Sequence, residues 1–277
     1  MDRKRRRIPD RARLQTGLSI IPSLFTVGNI FCGYYAVIST LRGNYDYAAI
    51  AIGVGMLLDT LDGRVARLTK TASEFGLQLD SLADVITFGV APAMLAFSWG
   101  LSSIAGIEAT IAKHVIQLGW VASFAFLVCV ALRLARFNIL TKNPPESGSR
   151  RHFVGLPSPP GAGMVAAVVH YFKSPILLVG SALLWYLLIL LVAFLMISTV
   201  RYHSFKEFDV RKPRPRLALF GTAMLIVVIF FYSEIVLLAL ATIYLSSGPI
   251  AKLMPFASRF ARIVRKLPEP AHGNMDS

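Results

Sequence analysis

Four aspartates stand between long apolar runs, within the 26 residues DTLDGRVARLTKTASEFGLQLDSLAD from Asp59 to Asp84. Asp59 and Asp62 are three residues apart, Asp80 and Asp84 four apart, and either spacing puts a pair of carboxylates on one face of a helix. The link Arg64 to Leu79 is long enough to turn the chain back, so two helix ends can aim four carboxylates at one point. Such a cluster repels itself unless cations or protons lie between its members. Oxygen-only ligands favour Mg²⁺, Mn²⁺ or Ca²⁺ over zinc. Two such ions can clamp a diphosphate and stabilise a leaving oxygen. A solvated loop between two membrane helices could carry the same charges, but carboxylates at a membrane edge are costly and usually functional.

The flanking composition fixes the class. Of the 277 residues, 55% are hydrophobic and 16% charged, where a soluble domain carries about a quarter charged. Several apolar runs approach the ~20 residues needed to cross a bilayer. The expectation is an all-α polytopic membrane bundle of about eight helices, six forming a core and two a C-terminal hairpin. Residues 1–20 read as a basic tail leading to an amphipathic surface helix, 21–253 as the membrane domain, and 254–277 as a second basic tail. The spans fall at about 21–41, 46–61, 81–101, 115–135, 161–172, 176–200, 217–232 and 235–253.

The net charge of +14 invites a nucleic-acid reading. In a membrane chain it follows more simply from the positive-inside rule and anionic lipid, so membrane lipids and not nucleic acid are the expected partner. With the N-terminus in the cytoplasm and eight spans, only Arg42, Lys113 and Lys173 of the 29 Lys and Arg face outward. The aspartates then sit at the cytoplasmic face. Cys32 and Cys129 lie inside apolar runs, with neither metal spacing nor a disulfide framework.

Other residues attach to the aspartate stretch. Gly63 and Gly76 remove side chains where helices or a ligand approach closely, and Arg67 offers a planar fork for phosphate. Thr69 and Ser73 can donate to phosphate. Asn29, inside the first span, needs a partner; that partner is either another helix or a bound nucleotide. Arg133 and Arg136 share a helical face at a membrane boundary, placed either to snorkel to headgroups or to bind an anion. The segment 139–160 reads as an ordered surface loop or a lid. His170 reads as a packing or interfacial histidine.

Asp59, Asp62-Gly63, Ala66-Arg67, Gly76, Asp80 and Asp84 together resemble, at every spacing, the signature of the CDP-alcohol phosphotransferase family. The resemblance implies an integral membrane enzyme of the cell (inner) membrane, working at its cytoplasmic face. It would move a phosphatidyl or similar group from a CDP-linked donor to an alcohol. It further implies two divalent cations, Mg²⁺ or Mn²⁺ with Ca²⁺ possible, on Asp59, Asp62, Asp80 and Asp84. Asp84 would also be the base. Gly63, Ala66, Arg67, Gly76, Asn29, Thr69 and Ser73 would line the CDP-lipid site, and the assembly would be a homodimer. Asn29 closes a Pro22-x-x-x-Thr26-x-x-Asn29 pattern that is similar to the family's first helix.

The stretches PSLFTVGNIFCGYYAV, DSLADVITFGVAPA, RLARFN, FVGLPSPPGAG and SFKEFDVR are most similar to the serine-using branch. That similarity implies CDP-diacylglycerol and L-serine as substrates, with Arg133 and Arg136 as candidates for the serine carboxylate. None of the histidines (His114, His152, His170, His203, His272) has lysine two residues later, which excludes a phospholipase-D-like covalent route. Glycerol 3-phosphate, inositol phosphate and an ether-lipid donor stay open on sequence. From another class, so does a cation transporter that uses the aspartates as an ion path.

Overall fold

The computed structural model describes residues 10–69, 74–102, 108–142, 152–203 and 215–264. Among these residues, eight α-helices form one bundle: α1 (Asp10–Leu41), α2 (Tyr45–Thr69), α3 (Glu74–Asp84), α4 (Ala91–Leu101), α5 (Ala109–Lys142), α6 (Ser158–Phe172), α7 (Val179–Ile197) and α8 (Pro215–Val264). A π-helical turn, Val85–Val90, joins α3 to α4. Two three-residue strands, β1 (His152–Val154) and β2 (Arg201–His203), pair antiparallel.

Among the described residues, five stretches are long and apolar enough to cross a bilayer: Ser23–Leu41, Glu74–Leu101, Ala109–Leu140, Val179–Ile197 and Val227–Lys252. Three of the eight expected spans fall outside this set, two of them for physical reasons. The second, α2, carries Asp46, Asp59 and Asp62. The fifth, α6, has 15 residues, but it is enclosed by the bundle along nearly its whole length and has little lipid to face. The seventh is the first part of α8, much of which lies outside the described side chains; α8 kinks at Tyr232 (φ −131°, ψ 39°), inside the span that begins at Val227. Outward, the bundle is apolar: Leu24 and Phe31 of α1, Trp120 and Phe124 of α5, Leu184 and Phe194 of α7, and Phe230 and Ile243 of α8 are all exposed. Lipid is the solvent such a surface fits.

Three boundaries differ from expectation. The N-terminal surface helix is not separate; α1 runs unbroken from Asp10 into the first span. The link 64–79 is mostly helix, because α2 continues to Thr69 and α3 starts at Glu74. Its Val-Ala-Arg-Leu and Leu-Gln-Leu runs favour helix, and no proline interrupts them. Asp80 and Asp84 therefore lie within a helix and not at its start. Where Gly89 and Pro92 suggest a kink, the chain makes a π turn with Pro92 in the first turn of α4.

Both ends of the bundle are tied. At one end α7 finishes with its last carbonyls claimed from across the bundle. Leu156 N–H donates to Leu195 O at 3.0 Å, and Arg133 Nη1 to Met196 O at 3.5 Å. Gly155 makes this possible: its φ is +86°, and a Cβ there would collide with Met196 O. The strand pair joins two basic segments that the charge pattern assigns to one membrane face.

At the other end, His170 of α6 contacts Asp46 Oδ1 of α2 through Nδ1 (2.5 Å) and Ser233 Oγ of α8 through Nε2 (2.9 Å). Lys173 pairs with Glu234 alongside. From Ser233 the helix returns to Leu245, whose carbonyl accepts from Tyr202 Oη of β2 at 3.1 Å. The second part of α8 thus runs from one end of the bundle back to the other, as the expected hairpin requires.

His170→Ala leaves Asp46 and Ser233 without their shared partner at a mostly buried site. We expect a loss of about 1–3 kcal/mol, read as a lower unfolding midpoint in detergent, with disulfide trapping between α6 and α8 reporting looser docking. An unchanged midpoint would mean that this tie carries no stability.

Candidate functional site

Helices α1, α2 and the π turn meet at close range just below the aspartates. A Cβ on Gly55 of α2 would lie 2.6 Å from Thr87 Cγ2 and 3.0 Å from Asn29 Oδ1. On Gly33 of α1 it would lie 2.6 Å from Thr87 Oγ1 and 2.9 Å from Thr87 Cα. Only glycine lets these backbones approach so closely, as in other intramembrane helix contacts. Thr87 Oγ1 donates to Asn29 O at 2.8 Å and closes the junction.

That junction sets the level of the carboxylates. Asp59 is one turn beyond Gly55, and Asp84 one turn before Thr87. One carboxylate oxygen from each of Asp59, Asp80 and Asp84 lies within 4.8 Å of the other two. The structure therefore brings together three of the four expected aspartates, one from α2 and two from α3. Asp62 is 6% exposed and accepts a hydrogen bond from Thr26 Oγ1 of α1. The π turn follows Asp84 directly. It widens the helix by one residue where Thr87 and Gly89 must face different neighbours, Asn29 on one side and Leu127 of α5 on the other.

Around this cluster, two buried groups have polar atoms without a hydrogen-bond partner among the described residues: Asp84 Oδ1, and both Oδ1 and Nδ2 of Asn29. Asp84 is 9% exposed and Asn29 1%. Orphaned polar atoms at that depth are expensive, so they mark a place where something else binds. For Asp84, next to two further carboxylates, hard divalent cations are the matching chemistry. The donor set is all oxygen, its members are close enough to share an ion, and one oxygen has no other partner. The residues present thus fit Mg²⁺ or Mn²⁺.

Gly63 supports a ligand on the same side. A Cβ there would meet no described atom within 4 Å, so helix packing does not require the glycine. Mid-helix glycine costs roughly 1 kcal/mol relative to alanine, and space for a ligand is a reason to bear that cost. Gly76 lies in the first turns of α3. Ala66, Arg67 and Thr69 belong to α2, but their side chains lie outside the described residues, as does Ser73 altogether. Arg133 is half-buried and turned toward the end of α7 and the Gly155 turn, whereas Arg136 is exposed. The pair is thus divided: one guanidinium helps to hold the fold and the other is open to solvent.

Thr26, Ser81 and Asn138 were not among the sequence candidates. Thr26 had a signal, its place in the Pro22-x-x-x-Thr26-x-x-Asn29 pattern. Asn138 closes the RLARFN stretch, and its Nδ2 donates to Ser81 Oγ of α3 at 3.0 Å.

The chain is also similar to known proteins. Residues 19–178 match the family model described as CDP-alcohol phosphatidyltransferase. The chain is similar to the CDP-diacylglycerol–serine O-phosphatidyltransferase of Helicobacter pylori strain 26695, with 36% identity over 69% of this chain and 74% of the relative. The enzyme of that name from Bacillus subtilis is 36% identical over 69% of this chain and 93% of its own length. Its namesake in Saccharomyces cerevisiae is 36% identical over 54% of this chain and 53% of the relative.

Thr26→Val removes the hydroxyl that holds Asp62. A hydrogen bond to a charged group contributes about 1.5–3 kcal/mol. We therefore expect Mn²⁺ binding, followed by electron paramagnetic resonance on detergent-purified protein, to weaken at least about tenfold. Unchanged Mn²⁺ binding would remove Asp62 from the metal-holding set.

Proposed function

Because this chain belongs to the CDP-alcohol phosphatidyltransferase family, we propose that it transfers the phosphatidyl group of CDP-diacylglycerol to the hydroxyl of L-serine, giving phosphatidylserine and CMP. The observation that carries the reading is the convergence of Asp59, Asp80 and Asp84 from two helices, with Asp84 Oδ1 unpartnered among the described residues. The choice of serine is supported by relatives that bear that name and align over most of their own length.

Asp59, Asp62, Asp80 and Asp84 would hold two divalent cations, Mg²⁺ or Mn²⁺. Bound there, such ions would neutralise the diphosphate and spread the charge of the leaving CMP. The chain's own groups do the rest. Thr26 keeps the Asp62 carboxylate turned inward. Gly63 leaves room for the cytidine, with Ala66 beside it in sequence and Arg67 as the fork for phosphate. Asn29, buried one turn below Thr26, offers both a donor and an acceptor to the bound donor lipid. Gly76, Thr69 and Ser73 belong to the same surface in this reading. Arg136, exposed near the end of α5, is the better placed of the two arginines to meet a serine carboxylate.

An alcohol is a weak nucleophile at neutral pH, so a positioned base is needed. Asp84 takes the proton of the serine hydroxyl as the new oxygen–phosphorus bond forms on the lipid-side phosphorus. The diphosphate bond breaks, and CMP carries away the electron pair. The cytoplasmic face suits both soluble species, serine entering and CMP leaving. The inner membrane as location, and a homodimer as assembly, are part of the same proposal.

Asp84→Asn should stop CMP release, by more than about 10³-fold if both base and ligand roles are lost, while donor binding stays within a few-fold of wild type. Near wild-type turnover would eliminate the base role. Offering one alcohol at a time with CDP-diacylglycerol and Mn²⁺ tests the acceptor. CMP release with serine, and none with glycerol 3-phosphate or inositol phosphate, is the expected result; the reverse pattern would overturn the serine assignment and leave the family intact.

A further inference from the structure

The carboxylate helix α3 packs on α1 and on the π turn, whereas α5, which carries Arg133 and Arg136, packs on the π turn, α4 and α7. Between α3 and the end of α5 runs a seam beside the carboxylates. Asn138 bridges it: its Nδ2 donates to Ser81 Oγ at 3.0 Å, and Ser81 Oγ–H donates in turn to Leu77 O of its own helix at 3.0 Å. The serine hydroxyl has one proton. With that proton on Leu77 O, its lone pairs accept from Asn138; turned the other way, the same hydroxyl donates to Asn138 Oδ1 at 3.4 Å, so the bridge holds in either sense. Both side chains are partly buried, which limits competition from water.

The place of this bridge matters more than its strength. Ser81 follows Asp80 directly and precedes Asp84 by three residues. Asn138 stands two residues past Arg136, toward the end of α5. The bridge therefore joins the segment that holds two carboxylates to the segment that carries the candidate acceptor-binding cation. Near-attack geometry requires the reacting oxygen and phosphorus to be held about 3–3.5 Å apart. A shift of one helix against the other changes that distance without touching the metal ligands.

We propose that Asn138 is a positioning residue for the acceptor: through Ser81 it fixes the end of α5 against α3, and so sets where the acceptor alcohol lies relative to Asp84. The proposal rests on the reading of the carboxylate cluster as the reaction centre. It does not require that the acceptor be serine.

The test is steady-state kinetics on the full-length protein in detergent, with CDP-diacylglycerol and Mn²⁺, varying each substrate in turn. Asn138→Ala and Ser81→Ala should each raise the acceptor KM about fivefold or more, the usual effect of one lost hydrogen bond. KM for CDP-diacylglycerol and the unfolding midpoint should stay near wild type. Because both variants break one bridge, the double variant should be no worse than either alone, and Ser81→Thr, which keeps the hydroxyl, should restore the acceptor KM. An unchanged acceptor KM in both single variants would overturn the proposal. So would a fall in kcat with both KM values and the midpoint shifted together, the mark of a merely structural contact. If wild-type enzyme uses an alcohol other than serine, the serine reading fails, and the same comparison made with that alcohol still decides the role of Asn138.

Discussion

Carboxylates at the edge of a bilayer must be held close together by something stronger than their own repulsion. Here the holding is done by backbone proximity. Gly33 and Gly55 let α1, α2 and the π turn converge on Thr87, and Asp59 and Asp84 stand one turn from that contact. Because the helices are locked where they are thinnest, the distance between Asp59 on one and Asp80 and Asp84 on the next is set by rigid elements and not by a loop. A site built this way is organised before any ligand arrives, the condition under which electrostatic stabilisation is most effective.

The two ends of the bundle divide the work. Asp46 is 13 residues before Asp59 on α2, about 20 Å along the helix. At that far end, His170, Ser233, Lys173 and Glu234 tie the returning part of α8 to the core. At the near end, β1 pairs with β2, and the Gly155 turn and Arg133 hold the end of α7. The two polar clusters thus stand at opposite ends of the bundle. Arg133 shows how the separation is drawn: it lies close in sequence to the site's other residues, yet its guanidinium closes the end of α7.

Much of this was legible in the sequence because the chemistry constrains it so tightly. Carboxylate spacing of three and four residues can be read directly, and the excess of Lys and Arg in alternate segments puts 139–160 and 201–216 on one side, the two segments that β1 and β2 join. What could not be read was whatever depends on which helix faces which. Thr26 and Asp62 are 36 residues apart, and Ser81 and Asn138 are 57 apart. No local period announces such pairs. The π turn was hidden for a related reason: its extra residue answers to Asn29 and α5, not to Gly89 or Pro92 alone. Arg133 and Arg136 share a face by spacing, yet tertiary packing gives them different neighbours.

The central claim is that the converging aspartates form a divalent-cation centre. The most direct measurement is anomalous diffraction from crystals of this protein grown with Mn²⁺ and a CDP-lipid. The account predicts two manganese peaks among Asp59, Asp62, Asp80 and Asp84, each roughly 2.0–2.3 Å from carboxylate oxygens. A bound CDP-lipid with no anomalous peak at these residues, in protein that releases CMP in solution, would contradict it.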